Sequence, residues 1–146
     1  MNAYILDTSV AAKWFLPAAG ETLTTEALEV LRDFSEGRIR LSVPDLFWPE
    51  FGNTLWRAVR IGRMSRASAE ESINAIEKLG LKTAPSAPLV KNAFAIAATF
   101  DRTVYDCTYV ALALESDRPF LTADERLANA LAARFPVRWL GTYVRA

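Results

Sequence analysis

Four acidic residues stand where acids are not expected. Asp7 follows the apolar run Ala3-Tyr4-Ile5-Leu6 and is itself followed by two hydroxyls, Thr8 and Ser9. Asp124 comes just after Phe120-Leu121-Thr122, and Asp106 opens the largely apolar stretch from Tyr105 to Leu114. Glu50 lies inside Phe47-Trp48-Pro49-Glu50-Phe51, where an unpaired charge would be costly. Taken singly, two of them have ordinary explanations. Asp7 caps the helix that Thr8 and Ser9 begin, or Asp106 is stabilised by a helix N-terminus. Taken together they pose an electrostatic problem. Two carboxylates about 4 Å apart repel by roughly 4 kcal/mol at an intermediate effective dielectric, and four that converge raise one another's pKa unless a cation neutralises them. The chain has no histidine, and no lysine or arginine sits beside all four. A divalent ion is the economical answer, and oxygen donors favour magnesium or manganese. A carboxylate-held ion activates water for displacement at phosphorus.

The absence of histidine removes Ser-His-Asp and Cys-His machinery, histidine general bases, and zinc sites built from His and Cys. Cys107 is the only cysteine, so no internal disulfide forms. Its apolar neighbours suggest core packing, and a reducing cytoplasm fits. The N-terminus lacks a basic-then-apolar leader pattern, and no apolar run is long enough to span a bilayer. Net charge is zero, so any nucleic-acid site must be a local patch rather than a global field. The other acids, Glu21, Glu26, Glu29, Asp33, Glu36, Glu70, Glu71, Glu77 and Glu115, lie on polar faces or helix ends and are expected in solvent.

The elements that must position these residues follow from periodicity. Ala3 to Leu6 and Phe120 to Thr122 are short continuous apolar runs, read as strands buried on both faces. Ile39 to Val43 alternates and is closed by Pro44; Leu81 to Thr83 and Val137 to Leu140 complete the strands. Helices are expected over 10–16, 22–36, 46–61 (core stripe Phe47, Phe51, Leu55, Val59), 85–100 and 105–115, with a last one after the fourth strand that runs through Phe135. Another starts at Ser65 or Ser68, where Ser68 and Glu71 make a capping box; it points Ala69, Ile73, Ile76 and Leu79 inward. With 51% hydrophobic and 23% charged residues over 146 positions, this is one globular domain, 1–146. Strands alternating with helices make it α/β: a central parallel sheet of four to five strands with helices on both faces, in three layers. In such a sheet the strand ends that carry Asp7 and Asp124 reach one edge, where ligands bind.

Several further residues invite a role. Ser9 and Thr122 can hydrogen-bond the acids, although strand-end capping is the plainer reading for Thr122. Asn53 and Arg57 follow Glu50 by about one and two turns on the same helix face, and Arg57 suits an RNA phosphate or a surface acid. Arg57, Arg60, Arg63 and Arg66 recur every three residues; a solvated face is the expectation. Trp14, Trp48, Trp56 and Trp139 are expected in the core or at an interface between copies.

Four segments, Tyr4 to Ser9, Pro44 to Arg57, Tyr105 to Ala113 and Leu121 to Leu127, occur in the order seen in a known family. The chain resembles PIN-domain ribonucleases, most closely the VapC-type toxins of prokaryotic toxin–antitoxin pairs. The resemblance implies a PIN-like fold and an endoribonuclease that needs Mg2+ or Mn2+. It implies an acidic quartet of Asp7, Glu50, Asp106 and Asp124, with metal held by Asp7, Asp106 and Asp124. It also implies a homodimer and a cognate antitoxin that blocks the site. Asp101-Arg102 ahead of Thr103 departs from the pattern, and Asp101 is either a fifth acid of the site or surface. Two other readings stand beside this one. In a phosphotransfer domain Asp7 would itself be phosphorylated, but the second acid usual two residues later is here Ser9. In a non-catalytic PIN-fold module the acidic groove would hold a basic partner segment.

Overall fold

The computed structural model describes residues 2–146. Its elements in order are β1 (Asn2–Leu6), α1 (Thr8–Ala11), α2 (Thr24–Ser35), β2 (Ile39–Pro44), α3 (Phe47–Arg60), α4 (Arg66–Lys78), β3 (Lys82–Ala84), α5 (Val90–Phe100), α6 (Val104–Ser116), β4 (Phe120–Thr122), α7 (Glu125–Leu131) and β5 (Val137–Trp139). The five strands form one sheet in the order β3-β2-β1-β4-β5, and every pairing is parallel. The order reverses at β1. The chain leaves β1 for β2 and β3 on one side, then crosses to β4 and β5 on the other. Such a switch point opens a crevice beyond the carboxyl ends of the central strands.

Both faces of β1 are covered, since Ile5 and Leu6 point to opposite sides and both are fully buried. Cover on one side comes from α6, whose residues Cys107 to Ala113 are all buried. Tyr109 of α6 stacks on Phe120 of β4, with centroids 5.1 Å apart. Such all-round apolarity marks an interior helix. By contrast α3 is amphipathic: Phe47, Phe51, Leu55 and Ala58 face inward. Phe47 and Phe51 stack at 5.9 Å, and truncating either to alanine would cost about 3–5 kcal/mol.

The structure corrects several local expectations. The helix expected from Val10 to Leu16 stops at Ala11 and tightens into a 3-10 turn, Ala12–Trp14. Pro44 is the last residue of β2 rather than its stop. On α3, Ala58 and not Val59 completes the buried stripe. The cap of α4 is Ser65, whose Oγ accepts from Ser68 N at 3.0 Å. Ser68 lies inside the helix, so no Ser68–Glu71 capping box forms. Ala69, Ser72 and Ile76 are the buried residues of α4; Ile73 and Leu79 are only partly covered. The last helix ends at Leu131, short of Phe135.

Asp33 is the largest correction: it is fully buried, not solvated. The C-terminal tail folds over α2, and Asp33 accepts from the Tyr143 hydroxyl at 2.7 Å, Ala146 N at 2.8 Å and Arg145 Nε at 3.4 Å. Burial alone would raise its pKa, but these donors hold it below the ordinary carboxylate value.

Candidate active site

Asp7 stands at the N-cap position of α1 with extended backbone, yet its side chain makes no capping bond. It turns instead to β4. Ser9 Oγ donates to Asp7 Oδ2 at 2.7 Å and Thr122 Oγ1 donates to the same oxygen at 2.8 Å. Each hydroxyl is oriented in turn by a backbone N–H: Ala123 N donates to Ser9 Oγ at 3.0 Å, and Asp124 N to Thr122 Oγ1 at 3.1 Å. A hydroxyl has one proton. Both protons are spent on Oδ2, so the 3.4 Å approach of Ser9 and Thr122 carries no bond of its own. Thr122 thus acts on Asp7 directly, where plain strand-end chemistry was the expectation. Asp7 Oδ1 accepts no hydrogen bond among the described residues and is the oxygen left for the cavity.

That cavity is about 350 Å3 and is lined by Asp7, Thr8, Ser9, Glu50, Asn53, Thr54, Arg57, Asp106 and Asp124. All four carboxylates are there, from the ends of β1 and β4 and the first turns of α3 and α6. Asp101 does not line it; it is an exposed left-handed residue that ends α5. A larger cavity of about 560 Å3 lies elsewhere, among Leu89, Ile96, Leu114 and Phe135. It has a single acid, Glu115, on its wall, so convergence of titratable groups rather than size selects the smaller one.

Glu50 has an anchor that periodicity did not disclose. Tyr109, at the buried surface of α6, donates its hydroxyl to Glu50 Oε1 at 2.6 Å. Thr8 Oγ1 lies 3.1 Å from the same phenol oxygen. With the phenol proton given to Glu50, Thr8 is the donor in that second bond. A buried tyrosine needs a hydroxyl partner, and that was the only signal available. Asp106 sits in the first turn of α6, whose N-cap, Thr103 Oγ1, accepts from Asp106 N at 3.1 Å. Asp124 caps α7, its Oδ1 accepting from Leu127 N at 3.1 Å, and keeps its other oxygen free of that task.

The electrostatics agree with the geometry. Burial pushes Asp7 up to about 6, against the Ser9 and Thr122 hydrogen bonds, with Asp106 and Glu50 adding to the rise. Glu50 is raised by burial and by Asp106, and Tyr109 opposes this. Asp106 is raised by burial and by Asp124, against the Thr103 hydroxyl and Arg102. None of the four carboxylates lies in an ion pair among the described residues. The donor set is all oxygen and strongly anionic, which suits a hard divalent cation. The side chains ring the cavity rather than meeting at a point, and among the described residues no three acids are close enough to grip an ion as they stand.

The remaining candidates separate. Asn53 and Arg57 line the cavity beside Glu50. Arg63 pairs with Glu21 at 3.1 Å and Arg66 with Glu70 at 2.8 Å. Trp14 donates to Ala27 O and Trp48 to Thr83 Oγ1, while Trp56 is 55% exposed.

Known proteins share this arrangement of elements. The model of the PIN domain matches residues 4–131. Ribonuclease VapC3 of Pyrobaculum aerophilum is 32% identical over 134 residues, covering 88% of this chain and 95% of that protein. The crystal structure of PAE2754 from Pyrobaculum aerophilum superposes with a TM-score of 0.70 at 23% identity, over 97% of this chain and 91% of that one. A chain of a toxin–antitoxin complex from Klebsiella pneumoniae superposes with a TM-score of 0.62 at 13% identity, over 94% and 97%. With a five-stranded parallel sheet, its switch point at β1, and a family match over most of its length, this chain belongs to the PIN-domain family.

Proposed function

We propose that this protein is a metal-dependent endoribonuclease and the toxin of a toxin–antitoxin pair. One observation carries the reading: four carboxylates from four separate segments line one cavity at the switch point of the sheet. The name of the VapC3 relative supports ribonuclease chemistry, and the complex that contains the Klebsiella chain supports an antitoxin partner.

Asp7, Asp106 and Asp124 would hold Mg2+ or Mn2+, with Glu50 beside them. Such an ion, when bound, supplies the positive charge that acidifies water and offsets charge growing on the phosphate. The residues do the rest. Ser9 and Thr122 hold Asp7 in one rotamer, so that Oδ1 always faces the cavity. Tyr109 holds Glu50 where it can orient a water and take its proton. Arg57, on the rim, offers a fork of donors to a phosphate, and Asn53 can bond the adjoining sugar or base. The antitoxin would inhibit by laying a basic segment in this acidic groove. The protein would act as a homodimer.

Incubation with single-stranded RNA should give cleavage in Mg2+ or Mn2+ that stops on excess EDTA and is absent in Asp7→Asn. Undiminished cleavage in either condition refutes the mechanism.

A further inference from the structure

The exposed face of α3 beyond the acid cavity is occupied in an ordered way. Asn53, Trp56, Arg57 and Arg60 follow the spacing i, i+3, i+4, i+7, which sets them along one side of a helix. All four are exposed. Asn53 and Arg57 reach the cavity wall, so the stripe starts at the acids and runs away from them along the axis. The arginines of this region fall into two pairs. Arg63 and Arg66, past the break at Gly62, are held by Glu21 and Glu70. Arg57 and Arg60 have no carboxylate partner among the described residues. Arg60 instead lies over the Trp56 ring, 5.5 Å from its centroid, and with 55% of the residue exposed the indole keeps open surface.

We propose that this stripe is the track for the single-stranded RNA that flanks the scissile phosphate. Trp56 stacks a base next to the cleavage site, and Arg57 and Arg60 hold successive phosphates. The inference rests on the ribonuclease reading and extends it to residues outside the acid cavity. Single strands bind where aromatic faces alternate with cations, because every base has a face to stack and every nucleotide a charge to neutralise. A neutral protein with an acidic catalytic cavity is served by a local cationic guide for phosphate, and α3 carries Arg57 on the cavity wall and Arg60 beyond it, neither held by a carboxylate among the described residues. A second copy fits less well. A two-fold contact through this face would bring two sets of Arg57 and Arg60 into one interface, and neither arginine has a carboxylate partner among the described residues to offset them.

The test measures binding of a short labelled single-stranded RNA by anisotropy, on the Asp7→Asn background to prevent cleavage. Trp56→Ala should weaken binding about 10-fold or more. Arg60→Ala should weaken it and reduce the slope of log affinity against log salt by about 0.7, one single-strand phosphate contact. Both residues are exposed, and alanine is a good helix former, so both variants should fold. Neither should change Mn2+ binding, measured by calorimetry without RNA. Unchanged RNA affinity in both variants overturns the proposal. So does a loss of self-association in Trp56→Ala with RNA affinity retained, which would assign the face to a partner copy. Failure of the underlying reading looks different: the wild-type protein with Mn2+ would then neither bind nor cleave RNA, and this track would fall with it.

Discussion

Replacing Asp7 with asparagine should make the metal-free protein more stable while abolishing its activity. The folded structure holds the Asp7 carboxyl at about 6 instead of 3.8. At ~1.36 kcal/mol per tenfold change in proton affinity, that is a penalty of about 3 kcal/mol once the group is ionised in both states. Below pH 3.8 Asp7 is protonated folded or unfolded, and the penalty is absent. As pH rises toward 6 the unfolded chain ionises first, so stability falls. Above 6 the full cost persists. Asparagine carries no charge, and its amide oxygen can still accept from Ser9 and Thr122 where Oδ2 does now. In EDTA at pH 8 the variant should therefore melt roughly 6–12 °C above the wild type, taking ~2–4 °C per kcal/mol for a chain of this size. The gap should close toward pH 4. It should also close at pH 8 when Mg2+ is added, because an ion at 100 times its dissociation constant stabilises only the protein that binds it, by about 2.7 kcal/mol. Scanning calorimetry across pH, with and without Mg2+, reads all three. A variant no more stable than the wild type in EDTA at pH 8, or a gap that does not depend on pH, would refute the argument that crowded, buried charge strains this site.

Two other perturbations follow from the same contacts. Tyr109→Phe keeps the stack on Phe120 but removes the bond to Glu50. It should lower kcat by about 10–100-fold with KM nearly unchanged, and the loss should vanish on a Glu50→Gln background; equal losses on both backgrounds would mean that the hydroxyl serves packing alone. Asp33→Asn removes the charge that clamps the C-terminal tail and should cost about 1.5–3 kcal/mol at pH 7. Because the folded-state pKa of Asp33 is depressed, its contribution is complete above 3.8 and is lost as pH falls through the folded value, so acid denaturation curves of wild type and variant should converge below pH 4.

Stability and function pull against each other around β1. Its side chains are buried on both faces, as the centre of a parallel sheet demands, and this burial is what makes a carboxylate at its end expensive. The hydroxyls of Ser9 and Thr122 offset part of that cost and fix the rotamer. The same pattern recurs at Glu50, half-buried beside aromatic rings and held by one phenol. Strain stored in this way is available to favour a bound cation.

What the linear chain determined by itself was local. Continuous apolar runs ending at Asp7 and before Asp124 marked buried strands with an acid at the carboxyl end. The 3.6-residue stripe of α3 marked Phe47, Phe51 and Leu55 as interior, and the lack of histidine narrowed the chemistry to oxygen donors. Alternation of strands and helices indicated a parallel sheet, which the structure has. Strand order was decided only by the folded molecule. That β4, rather than β3, lies against β1 is what sets Thr122 on Asp7 across 115 residues. The buried Asp33, the Tyr109–Glu50 bond across 59 residues and the division of the arginine stripe into paired and unpaired members are of the same kind. Periodicity reports which side of an element avoids water, because that preference acts residue by residue. A hydrogen-bond partner is chosen when distant elements dock, and no local pattern carries that information.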